Sequence, residues 1–194
     1  MHARAFAAVR QLSELVVFSP TAAKREAFAR ELGQELGVPT RAAASGEEAV
    51  RGADVVLAAA RSHGEKPILF GDWIQERALT VSIGSTIPAQ REIDASVVKR
   101  SDLIVCDVVH EVLKETGDMI AASQAGIDAS GRSFSLDALM QGQLESRLAE
   151  SRYPMFKSVG NGLQDVVVAG LILDRAIASG LATELPISIS VKRI

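Results

Sequence analysis

The sequence predicts an α/β protein, its strands forming a doubly wound, mostly parallel sheet. Two observations carry that prediction. Short runs of Val, Ile, Leu and Ala alternate with helical stretches along most of the chain, as in parallel sheets whose crossovers are helices. Only 4% of the 194 residues are aromatic against 47% hydrophobic overall, a mix suited to packing helices on a sheet with small and branched side chains. That length and hydrophobic share can fill one core of ordinary size.

Residues 2–11 read as a helix, with Ala3, Phe6, Ala7 and Val9 to one side. Leu15-Val16-Val17-Phe18 is a short buried-strand run. Ser19 and Pro20 then supply an N-cap and a proline suited to the first helical position, predicting a helix over 20–36 with Phe28, Leu32 and Leu36 on one face that stops at Gly37. The alternation continues with a strand over 39–43, a helix over 46–51 entered at Ser45, a strand over 54–60 and an amphipathic turn over 70–75. A strand over 79–84, a helix over 94–99, a strand over 102–107 and a helix over 108–116 follow, with Asp107 as the cap of the last. Residues 117–154, rich in Gly, Ser, Asp and Gln, predict an excursion over the strand ends with a helix at 135–140. A strand over 155–159 leads into a long helix over 160–180, where Leu163, Val167, Leu171 and Ile177 recur at helical spacing and Gly180 is the stop. The alternating Ile and Ser of 185–191 predict an edge strand. This organisation is one domain over about residues 1–180 with a projecting tail, 181–194.

Charge and composition narrow the function classes. The net charge of -3 arises from 21 basic and 24 acidic residues scattered along the chain, which leaves no basic stripe for nucleic acid. No segment approaches the roughly 20 apolar residues of a membrane span. The one cysteine, Cys106, lies inside an apolar strand run and reads as a buried small hydrophobe in a reduced, cytoplasmic protein. His2, His63 and His110 show neither metal spacing nor triad logic, so no metal is expected and no catalytic acid or base stands out.

The strand exits hold the chemistry. Ile83-Gly84-Ser85-Thr86-Ile87-Pro88-Ala89-Gln90-Arg91-Glu92-Ile93-Asp94 runs from an apolar strand through Gly-Ser-Thr and a proline into an Arg-Glu pair, which reads as a strand end opening onto a ligand. Together with Phe156-Lys157-Ser158-Val159-Gly160 and Gln164-Asp165, it resembles the ornithine cyclodeaminase and mu-crystallin family of nicotinamide-binding proteins over most of the chain. The resemblance implies a Rossmann-type sheet lacking its usual first strand and glycine-rich turn, with Met1-His2-Ala3-Arg4 falling inside that turn. It also implies that the family's substrate-binding and dimer-forming domain is absent, so that a start assigned too late or a gene fragment is expected, and a homodimer only for a full-length form.

Candidate cofactor contacts follow exit by exit. After the first strand, Ser19, Thr21 and Lys24 stand where an acidic residue would meet the ribose of a cofactor lacking a 2'-phosphate. Hydroxyls, a helix N-terminus and the cations Lys24 and Arg25 suit a phosphate better, favouring NADP(H) over NAD(H); a capped helix with a solvated basic face explains the same residues. Ala58 and Ala59 end the strand over 54–60, before Arg61, and such small residues let backbone approach a ligand or a helix pack closely. Ile83, Gly84 and Ser85, with Ser158 and Gly160, match the family positions around the nicotinamide ring. Asp165 matches an acidic position of the family, and helix-dipole stabilisation explains it equally well.

The resemblance leaves three functions open. The first is the dinucleotide half of an imine reductase or amino-acid dehydrogenase acting on a small amino or imino acid. The second, an ornithine-cyclodeaminase-type ammonia lyase using bound NAD, is disfavoured by Thr86, which stands where that branch has an ionisable Asp. The third is a non-catalytic dinucleotide-binding protein or inactive fragment. With its central strand missing, the sheet is expected to part between strands 15–18 and 54–60, and the isolated chain to be loosely packed, weak in dinucleotide binding and inactive.

Overall fold

The computed structural model describes residues 1–60 and 64–185. Arg61, His63 and residues 186–194, where the terminal edge strand is expected, lie outside the described residues. The chain divides into two compact units, Met1–Val159 and Gly160–Ile194.

In the first unit, helix α1 (His2–Val9) precedes β1 (Leu15–Val17) and α2 (Ala22–Leu36), which Gly37 closes with a left-handed φ of 64°. Such a φ suits glycine, which has no Cβ to clash. The helix starts two residues later than the Ser-Pro pair predicts: Thr21 is the N-cap and makes no side-chain cap bond. Ser19 and Pro20 remain outside because their carbonyls accept the Arg25 guanidinium, at 3.1 and 3.3 Å. The buried stripe is also shifted, since Ala29 and Leu32 are buried while Phe28 is 47% exposed. Close approach of Gly33 to Thr40, where a Cβ would stand 3.1 Å from the Thr40 Cβ, turns that neighbouring face toward β2 (Thr40–Ala42).

α3 (Gly46–Val50) begins at Ser45, whose side chain accepts the Glu48 amide. It leads to β3 (Val55–Ala58), β4 (Leu79–Ser82), α4 (Ala95–Arg100, capped by Asp94), β5 (Leu103–Cys106) and α5 (Val109–Glu115). The supposed excursion is part of the fold: α6 (Gly117–Gln124), β6 (Ser133–Ser135), α7 (Leu136–Met140) and α8 (Glu145–Glu150) precede β7 (Pro154–Lys157). The three residues of β6 pair in parallel with β5 and form the sheet edge. Their Ser-Phe-Ser sequence is too short and polar to stand out as a strand.

Every described strand pair is parallel, in a two-stranded sheet β1-β2 and a five-stranded sheet β3-β4-β7-β5-β6. Among the described residues β1 pairs only with β2 and β3 only with β4, so the sheet parts where expected and no shifted register closes it. The larger sheet is covered on both faces. Ile104, Cys106 and Met155 join the core that contains Val97, Val98, Val112 and Met119, whereas Leu103 and Val105 pack with Leu144, Phe134 and Phe156. Alternating strand residues thus feed two separate cores. Burial of a residue such as Ile104, fully inaccessible, contributes about 1.5–3 kcal/mol.

In the second unit, α9 (Gly162–Ala178) is capped by Asn161, whose side chain accepts the Leu163 amide, with Asp165 in its first turn. Gly180 follows with φ 67°. Val166, Val167, Val168, Leu171, Ile172 and Leu173 are each more than half exposed.

Candidate functional site

Four strands of the larger sheet end in one row. Ala58 pairs with Ser82, Ser82 with Lys157, and Lys157 with Cys106, so the residues just beyond them form a common rim at the carboxyl ends. In open parallel sheets this is where ligands lie. Strand ladders stop at the row, and side chains take over the bonding.

Glu92, fully buried, accepts the Ala60 amide at 2.8 Å, the Ser82 hydroxyl at 2.8 Å and the Gly84 amide at 2.9 Å. It thereby joins the exits of β3 and β4. Lys157, also fully buried, donates to Ser82 Oγ at 3.0 Å, to the Ser85 carbonyl at 3.1 Å and to Asp118 Oδ2 at 3.0 Å. Asp118, in the first turn of α6, accepts the amides of Glu92 and Ile93 at 2.8 and 3.1 Å. Arg91, a quarter exposed, brings its Nε to 3.6 Å from the same carboxylate. Gly84 is required by this packing, since a Cβ there would meet Glu92 Oε1 at 2.1 Å.

The exits of β5 and β7 are joined in the same manner. Asp107 accepts the Ser158 hydroxyl at 2.7 Å and the Val159 amide at 3.1 Å. It is not the helix cap that the sequence suggests, because α5 starts after Val108 without a side-chain cap and the carboxylate turns to the neighbouring strand exit. Cys106, beside it, is wholly buried; burial, then the Asp107 charge, pushes its thiol up to about 12. A thiolate nucleophile is therefore excluded.

The structure brings Ala58, Ile83, Gly84, Ser85 and Ser158 to this rim. Ala58 is buried, whereas Ala59 is exposed. Ser85 is fully buried and spends its hydroxyl on the Gln90 carbonyl at 2.7 Å, and the Thr86 amide and hydroxyl both donate to the Gln90 side chain. Gly160, with φ 81°, belongs to the second unit, and Arg61 lies outside the described residues. Ser19, Thr21 and Lys24 stand together beyond β1, in the other sheet. There no side chain caps the first-turn amides of α2 and no acidic residue occupies that turn. Arg25 is committed to its own loop, also lying over the Phe18 ring at 5.7 Å, which leaves Lys24 as the exposed cation of that turn.

Sequence reasoning missed Glu92, Asp118 and Lys157 as a unit. The available signal was a lysine ending an apolar strand, since a buried ammonium requires a carboxylate partner. Among the described residues, no group of three His, Cys, Asp or Glu side chains is arranged to hold a metal ion, and no helix is long and apolar enough to cross a membrane.

Residues 1–180 match the model of the ornithine cyclodeaminase/mu-crystallin family. Among curated relatives, Delta(1)-pyrroline-2-carboxylate reductase of Bacillus cereus is 26% identical over 184 residues, covering 94% of this chain and 56% of the relative. Ketimine reductase mu-crystallin of Macropus fuliginosus is 32% identical over 161 residues, covering 83% and 46%. Among solved structures, Thermococcus litoralis Delta(1)-pyrroline-2-carboxylate reductase in complex with NADH and L-proline superimposes with a TM-score of 0.82 at 26% identity, covering 95% of this chain and 56% of that one. The chain spans about half the length of the curated relatives it matches. It belongs to the ornithine cyclodeaminase/mu-crystallin family, and its α/β architecture is the Rossmann-type one of those structures.

Proposed function

We propose, from membership of this family, that the chain is the dinucleotide-binding part of an imine reductase or amino-acid dehydrogenase acting on a small amino or imino acid, with NADP(H) favoured over NAD(H). The observation that carries the reading is the row of strand ends whose rim presents small residues on backbone fixed by buried charges. In this reading Ile83, Gly84, Ser85 and Ser158 meet the nicotinamide side, Ala58 and Ala59 lie between, and Ser19, Thr21 and Lys24 face the adenosine ribose.

Uncapped amides at the start of α2, two hydroxyls and one exposed cation suit a 2'-phosphate. When bound, the nicotinamide supplies or accepts a hydride. The protein's part is to hold the rim in place and admit no competing nucleophile, which a neutral, buried Cys106 thiol respects. Hydride transfer is favoured over cyclodeamination because Thr86 has no ionisable group and its hydroxyl is engaged by Gln90. A homodimer and a cytoplasmic location belong to the same reading of the full-length protein.

Titration with NADPH and NADH, followed through the single tryptophan, Trp73, and coenzyme fluorescence, tests the proposal. The sequence holds no G-x-G-x-x-G turn to cradle a pyrophosphate, so binding in the high micromolar to millimolar range is expected, on the order of -4 to -6 kcal/mol. NADPH should bind about tenfold tighter, and Lys24→Ala should erase most of that difference. Failure of either coenzyme to saturate, or tighter binding of NADH, would overturn it. For the full-length protein, NADPH consumption with a cyclic imino acid and no ammonia release is the expected outcome.

A further inference from the structure

We propose that Lys157, Asp118 and Glu92 are a buried charge clamp that sets the shape of the nicotinamide-side rim, with Lys157 as its central positioning residue; this rests on the dinucleotide reading above. Folding alone gives no reason for these residues. A buried ion pair is rarely more stabilising than apolar side chains of the same volume, and its best attested use is to specify one geometry. Here the geometry specified is that of the strand exits.

An ammonium has three N–H donors and no acceptor, and Lys157 directs its three contacts to two separate pieces of chain, the exit of β4 and the start of α6. Ser82 is the last residue of β4, Ser85 lies three residues beyond it, and Asp118 opens α6. β7 is thereby tied to the Gly84–Thr86 shoulder at the point where ladder pairing has ended. Asp118 relays the tie through the Glu92 amide, and the Glu92 carboxylate ends it on the amides of Ala60 and Gly84. Order therefore extends past the ladder across β3, β4 and β7, and the rim is formed before a ligand arrives. Preorganisation of this kind lowers the ordering cost of binding. Lys157 is itself wholly enclosed and acts through the Ser85 carbonyl and Ser82.

Amide hydrogen exchange on the full chain, read residue by residue by NMR, tests the clamp. The double variant Lys157→Met/Asp118→Asn removes both charges of the pair together, and Ser82→Ala removes two bonds, one to Glu92 and one from Lys157, while leaving the Lys157–Asp118 pair in place. Exchange at Gly84, Thr86 and Ser158 should quicken at least tenfold in the double variant and several-fold in Ser82→Ala, while the amides of Ile104 and Val105 in β5 keep their protection. Equal acceleration of rim and β5 amides, or none at the rim, would overturn the clamp, because a merely structural role changes both together through global opening. Millimolar NADPH should slow exchange at Gly84 and Ser158 in the unaltered chain and lose that effect in the double variant. No slowing in the unaltered chain would overturn the dinucleotide reading instead, with the exchange pattern still judging the clamp.

Discussion

Replacing Gly84 by Ala adds one methyl group at the most crowded point of the rim. The φ of Gly84 lies outside the left-handed region, so the backbone accepts alanine without strain and the cost is steric. The new Cβ would stand 2.1 Å from Glu92 Oε1, 2.7 Å from its Cδ and 3.1 Å from the Ala60 carbonyl oxygen. Glu92 has no free space to retreat into, being fully buried and held by three donors. Displacing the carboxylate strands one or two of those donors at about 1–3 kcal/mol each, and crowding adds about 1–3 kcal/mol. A stiffer unfolded chain returns about 0.4–1 kcal/mol. The net loss is about 3 kcal/mol, which for a domain of this size lowers Tm by roughly 6–12 °C. Urea and thermal unfolding followed by Trp73 fluorescence measure it. Gly131→Ala, where nothing lies within 4 Å of the added Cβ, is the control and should stay within about 0.5 kcal/mol of the parent. A Gly84→Ala chain as stable as that control would show that Glu92 is not fixed where the structure has it, and the rim argument would fall with it.

Three further outcomes follow from particular contacts. Leu32→Ala should cost about 2–4 kcal/mol while Phe28→Ser stays within about 0.5 kcal/mol, because the buried stripe of α2 runs through Ala29 and Leu32 and leaves Phe28 exposed; the reverse ranking in urea melts would contradict the packing of α2. Partial burial raises the carboxyl of Asp102, but the Ser151 hydroxyl and the amides of Arg152 and Tyr153 outweigh it and hold the group below 3.8. A depressed folded value stabilises above the unfolded one and is lost as pH falls through the folded one, so stability should decline from about pH 5 downward and Asp102→Asn should show a shallower decline. Native Cys106, buried with its thiol pushed up to about 12, should resist alkylation at pH 8 until urea unfolds the chain; rapid native labelling would place it at a surface.

Legibility differed between the fold and the site for physical reasons. β4 and β5 announce themselves as apolar runs between turn residues, and α3 and α4 through the caps Ser45 and Asp94, since these signals are local. β6, three residues with two serines, exists as a strand only because β5 offers it a ladder. Phe28 has the same helical spacing as a buried residue, and the approach of Gly33 to Thr40 decided otherwise.

What the sequence determined by itself was the alternation of strands and helices, the parallel sheet it implies, its parting between β1 and β3, and the small-residue exits at 83–85 and 158–160. The parting was implied by the family resemblance, and the others are written in short-range pattern or in the topology that follows from it. Tertiary structure alone decided the partners. Glu92, Asp118 and Lys157 are separated by 26 and 39 residues along the chain, and no local pattern encodes which carboxylate will meet a buried lysine. Only the register that sets Ala58, Ser82, Lys157 and Cys106 in one row brings those charges together, because a buried charge is tolerable only where folding delivers its counterpart.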